Sequence, residues 1–125
     1  MAVTAVQAVV DGTAADALTA AQDARDTVTA QYPTVETGTN SEYHVTQGDD
    51  PHAVVECRVP TSVDVAAVVS TFASGLDPAF SWWAVYAHEC HHDETDAEGN
   101  VRGDLCAPYQ LQAQDGPVTP PAFGW

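Results

Sequence analysis

The run His88-Glu89-Cys90-His91-His92 is the densest concentration of chemically versatile side chains in the sequence. On a helix, His88 and His92 stand four residues apart and face one metal ion, and Glu89 between them polarises the attacking water as a general base. Val85-Tyr86-Ala87 ahead of the run suits such a helix. On a strand, the same residues serve a different purpose. Trp82, Ala84, Tyr86, His88, Cys90 and His92 then share one face, and a turn at Asp96-Ala97-Glu98-Gly99-Asn100 leads back through Val101 to Gln112. That return lets His88, Cys90 and Cys106 converge, with His91, His92 or Cys57 as a fourth group, on a structural zinc. The metal-ligand set to look for is therefore His88, Cys90, His92 and Cys106. A third reading binds no cofactor: Cys57 and Cys106 are small core residues, and the histidines lie at a polar edge or a subunit contact.

His88, Glu89 and His92 satisfy the HExxH pattern, and on those residues the chain resembles the zinc metallopeptidases. The resemblance implies a zinc-dependent metallohydrolase with His88 and His92 as ligands and Glu89 as the catalytic base. Thr95 and Glu98 stand where one branch of that family has Gly and a third His.

The elements that must position these groups can be read from periodicity and turn residues. Val3, Val6, Val10, Ala14, Ala17, Ala21, Ala24 and Val28 recur at three- and four-residue steps, which predicts an N-terminal helix ending at Tyr32-Pro33. Gly12 interrupts that pattern, and Thr13-x-x-Asp16 reads as a fresh capping signal. Residues 34–41, rich in Thr, Gly and Asn, read as a loop. Alternating runs at Tyr43–Gln47 and Ala53–Val59, joined by Gly48-Asp49-Asp50-Pro51, predict a β-hairpin flanked by His44 and His52 as surface residues. Thr61-x-x-Asp64 caps a second helix whose apolar face is Val65, Val68, Val69 and Phe72 and whose end is Gly75. Whether 79–92 is helix or strand stays open, because the aromatic stretch suits either. The expectation is an α+β fold: N-terminal helix, β-hairpin, second helix, then one or two further strands in a small antiparallel or mixed sheet packed on helices. Residues 1–116 form a single domain, and 117–125 form an extended Pro-rich arm closing on Phe123 and Trp125. Trp82, Trp83, Tyr86, Phe123 and Trp125 are the expected contact residues.

Charge limits what this domain can meet. No lysine occurs in the 125 residues, and Arg25, Arg58 and Arg102 oppose 18 carboxylates for a formal net charge of -15. At low ionic strength such self-repulsion destabilises a compact state; at about 1 M salt the Debye length falls to about 3 Å and the repulsion is screened. Three scattered arginines form no footprint for nucleic acid, and an anionic membrane surface repels the chain. No apolar run approaches the roughly 20 residues that span a bilayer, and the N-terminus lacks a leader-like pattern. Three cysteines argue against a disulfide framework. The Ala- and Val-rich core, with no Ile, buries little area per residue, so partner subunits would add stability.

A surface without lysine resembles that of proteins from extreme halophiles. The order of elements, with the helix from Val3 to Tyr32, the hairpin into VVECRVP at Val54 to Pro60, the next helix and a strand at Trp82 to Cys90, resembles the tail terminators and related neck proteins of tailed viruses. That resemblance implies an α+β subunit that self-associates into a ring, contacts other virion proteins of the neck or tail, and has no catalytic site. It implies a virion protein assembled in the host cytoplasm; without it, the chain reads as cytoplasmic in a halophile.

Overall fold

The computed structural model describes residues 3–44, 51–91, 94–106 and 110–115. Strand β1 covers Val3–Asp11, helix α1 Ala17–Gln31, β2 Glu36–His44, β3 His52–Pro60, α2 Val65–Leu76, β4 Trp83–Cys90 and β5 Gln110–Asp115. The sheet order is β2-β3-β1-β4-β5, and every neighbouring pair is antiparallel. Each helical crossover skips one strand: β1-α1-β2 leaves room for β3, and β3-α2-β4 leaves room for β1. This interleaving is the split βαβ arrangement of ferredoxin-like domains, here with β5 added outside β4. It is an α+β fold with both helices packed on an antiparallel sheet, as the residue pattern predicts.

The N-terminal helix does not begin at Val3. Residues 3–11 are instead the middle strand of the sheet, buried continuously from Ala5 to Asp11. Flanked on both edges and covered on both faces, β1 needs apolar residues everywhere, so alternation disappears and its valines fit a helical period by accident. The five β-branched residues Val3, Thr4, Val6, Val9 and Val10 suit a pleated strand. Gly12 stops β1 because the chain turns hard against the segment before β3: a Cβ there would lie 2.6 Å from the His52 nitrogen. The Gly12 N–H donates to the Pro51 carbonyl at 2.9 Å, locking the turn.

Helix α1 then starts at Ala17, after Asp16 in the left-handed region at φ 53°. Its inner face, Ala17, Ala21, Ala24 and Val28, is the C-terminal part of the predicted stripe, and Tyr32-Pro33 ends it as expected. The hairpin forms between β2 and β3, but β2 extends back to Glu36 into the segment read as a loop, with a register shift between Thr37 and Ser41. Residues 45–50 of the predicted hairpin lie outside the described residues. Asp64 caps α2 by accepting from the Ala66 N–H at 3.1 Å. Its inner face is Val68, Val69, Phe72 and Leu76.

Both helices cover the face that carries Val6, Ala8 and Val10 of β1, Val55, Cys57 and Val59 of β3, and Trp83 and Val85 of β4. Phe72 and Leu76 are fully buried there and contribute about 1.5–3 kcal/mol each. Small side chains let α1 approach α2 closely, since a Cβ on Gly75 would stand 3.2 Å from Ala24 Cβ. On the opposite face Val9, Val54, Trp82 and Tyr86 form a smaller apolar cluster. No helix of the described residues is long and apolar enough to cross a membrane.

Candidate functional site

Strand β4 decides the geometry of the histidine run. His88, Glu89 and Cys90 are strand residues paired across β1 with Ala5, Thr4 and Val3, so the i, i+4 helical geometry of HExxH is not what these residues form. His88 is half-buried on the face turned away from the helices, and Glu89 points to the other side. The Cys90 side chain and the whole of His92 lie outside the described residues.

The return predicted for the strand reading is present. Asp96 accepts from the Glu98 N–H at 3.0 Å and the Asn100 N–H at 2.9 Å, and Gly99 supplies the positive φ of 84° that closes the turn. These donors hold the Asp96 carboxyl below its ordinary range, the Asn100 N–H first, against the opposing effect of desolvation. Thr95 bridges Val101, and a 3-10 turn at Gly103–Leu105 leads to Cys106.

His91 sits at the meeting point of these segments. Its N–H donates to Cys106 Sγ at 3.1 Å, its Nδ1 lies 2.7 Å from Glu94 Oε2 and its Nε2 lies 3.0 Å from Glu89 Oε1. The Glu94 hydrogen bond, joined by the charges of Glu94 and Glu89 and opposed by desolvation, raises the imidazole above its ordinary value. Among the described residues, no group of three His, Cys, Asp or Glu side chains is placed to hold a metal ion. Of the expected ligands, Cys106 is carried to the end of β4, where His88 and Cys90 stand two residues apart. Cys57 is not part of this group. It faces the helices, fully buried, and burial, followed by the charge of Glu56 and opposed by Arg25, pushes its thiol up to about 12.

The expected contact residues are distributed differently. Trp82 and Trp83 are 7% and 6% exposed and belong to the packing on opposite faces of the sheet. Trp83 Nε1 donates to Asp77 Oδ1 at 3.4 Å, tying β4 to the end of α2. Tyr86 is half-buried beside Trp82, and burial raises its phenol above the ordinary range. Phe123 and Trp125 lie outside the described residues, as does His44 beyond its backbone in β2. His52, read as a surface residue, is buried at the start of β3.

Two features escaped the motif reading. The first is a buried polar pair on the sheet face away from the helices: Gln7 Nε2 donates to Glu56 Oε1 at 3.1 Å, with Arg58 Nε 3.9 Å from the other carboxylate oxygen. The signal was Gln7 between Val6 and Ala8 in VTAVQAVVD and Glu56 directly after Val54-Val55 in HAVVECRVP, long polar side chains set against apolar neighbours. The second is a groove of about 520 Å³ between α2 and β5. Ala66, Val69, Ser70, Ala73 and Ser74 of α2 form one wall, Gln112 and Ala113 of β5 the floor, and Asp77 and Trp83 one end. Its signal was the absence of any charged residue from Val65 to Leu76 in so acidic a chain.

No family model, no curated protein and no solved structure matches the chain.

Proposed function

We propose that the protein is a non-enzymatic structural subunit of a haloarchaeal tailed-virus particle, placed at the neck or tail and self-associating into a ring. The observation that carries this reading is the sheet itself: it ends in two edge strands, β2 and β5, on opposite sides of the domain, so each copy offers edges for another to extend. The lysine-free surface supports a particle that assembles in concentrated salt, where copies of charge -15 can approach. The same charge keeps the subunit from adhering to nucleic acid passing close to it. Multi-angle light scattering in multimolar KCl, followed by negative-stain microscopy of the largest species, tests the proposal. Closed rings support it, and a monomer at every protein and salt concentration overturns it.

A second reading, a small zinc-stabilised binding module, is favoured by one observation. The return from β4 brings Cys106 Sγ to accept from the His91 backbone N–H at 3.1 Å, next in sequence to Cys90. Zinc closed by cysteines and histidines at that place would pin the 91–106 excursion to the sheet. Elemental analysis separates the two: one zinc per chain, lost together in Cys106→Ser and His88→Ala, favours the module.

A further inference from the structure

We propose that the flank formed by α2 and β5 is a homotypic interface, on which a second copy seats the same flank across a two-fold axis. The inference rests on the self-association proposed above and names its surface and partner.

Charge selects this flank. The chain carries 18 carboxylates, yet Val65–Leu76 and Gln110–Asp115 together contain a single ionisable residue, Asp115, which pairs with Asp77 at one end of the groove. The other flank is different, since α1 exposes Asp23 and Asp26, and Glu36 and Glu42 stand on β2. Two copies of a chain at -15 meet at least cost where few carboxylates must be desolvated or faced, and among the described residues the α2 and β5 side offers an extended surface of that kind, with Asp77 and Asp115 confined to one end.

Shape agrees with charge. Helix α2 turns the exposed residues Ala66, Ser70 and Ser74, with the half-buried Ala73 between them, toward a strand that has no helix of its own above it. Among the described residues β5 ends the sheet, and all its residues except Ala113 are exposed. It contains no lysine or proline of the kind that blunts an edge, and its one irregularity is the register shift at Gln112. On its other face Leu111, opposite Tyr86 in the β4 pairing, is 49% exposed. Antiparallel pairing of β5 with β5 of a second copy satisfies the open edge, covers Leu111, and brings the two α2 ridges of small side chains face to face. The contact is isologous, so an assembly in which every copy uses it contains an even number of subunits.

The test is sedimentation equilibrium in multimolar KCl on the full chain, with Ser70→Glu/Ser74→Glu placed on the flank and Ala30→Glu on the exposed side of α1 as a control. The doubly charged flank is expected to raise the dissociation constant of the smallest oligomer at least tenfold, while the control leaves it unchanged. Wild-type association is expected to tighten as salt rises, the sign for a contact that adds no ion pairs but must overcome net repulsion. Oligomers that persist unchanged in the flank variant overturn this interface while leaving the ring subunit intact. A wild-type protein that is monomeric throughout overturns both. A chain ending at Asp115 addresses the remaining occupant: association that appears only on removing residues 116–125 assigns the groove to the chain's own arm and also overturns the proposal.

Discussion

Gln7 and Glu56 meet across the two central strands, amide to carboxylate at 3.1 Å, on the sheet face that carries neither helix, and both side chains are almost completely buried. The contact matters more through the cost of losing it than through its net strength, because a buried polar group left without its partner costs its full desolvation. Gln7→Leu removes the donor facing Glu56 Oε1 and is expected to destabilise the fold by about 1–3 kcal/mol. The double variant Gln7→Leu/Glu56→Met should recover most of that loss. Denaturant unfolding in high salt measures both; a double variant as unstable as the sum of its singles contradicts the argument.

Gly12 should tolerate no side chain. The β carbon of Gly12→Ala would lie 2.6 Å from both the Pro51 carbonyl carbon and the His52 nitrogen, backbone atoms that cannot swing away. A loss of about 1–3 kcal/mol is expected, the usual cost of overpacking. Unfolding midpoints compared with Ala30→Ser, on the exposed side of α1, provide the control.

Two groups give opposite pH windows. Asp11 accepts from the Ser81 hydroxyl and from the Thr13 hydroxyl and N–H, which outweigh burial and lower its carboxyl below the ordinary 3.8. Its contribution is present above that value and is lost as acid protonates the folded state. His91 is raised above 6.5, so its bridging of Glu94 and Glu89 contributes fully below that pH and is lost as pH rises through the folded value. Asp11→Asn should therefore lower the melting temperature more at pH 6 than at pH 3, and His91→Gln more at pH 5.5 than at pH 9. The reverse ordering in either variant rejects the corresponding contact.

Thiol reactivity should separate the cysteines. With its thiol pushed up to about 12 and fully buried, Cys57 is expected to resist maleimide until the protein unfolds. Cys106 is only half-buried and should label in the folded protein. Mass spectrometry of Cys90→Ser/Cys106→Ser against Cys57→Ser/Cys90→Ser reads this directly; rapid native labelling of Cys57 contradicts its place in the core.

Salt dependence follows from composition. Transfer from multimolar KCl to about 0.1 M restores a Debye length of about 10 Å and with it the repulsion among the carboxylates. The melting temperature is expected to fall steadily over that range, and a protein indifferent to salt would lose the halophilic reading.

Several local features were legible in the residues alone. The second helix was marked by Asp64 and the spacing of Val65, Val68, Val69 and Phe72, because a cap and an amphipathic period act within a few residues of each other. The break at Gly12, the end of α1 at Tyr32-Pro33 and the turn at Asp96–Asn100 were legible for the same reason. The character of 3–11 was not, since a strand enclosed on both edges and both faces is selected by what surrounds it, and its own valines satisfy a helical period as well. The histidine run shows the same division. Sequence determined that His88, Glu89, Cys90 and His91 stand together; β1 decided, by pairing Ala5 with His88 and Thr4 with Glu89, that His88 and Glu89 lie on a strand and point to opposite faces. Composition determined that the chain is strongly acidic and lacks lysine. Tertiary structure decided that the uncharged stretch Val65–Leu76 lies beside β5, because distant segments become one surface only when the sheet's strand order brings them together.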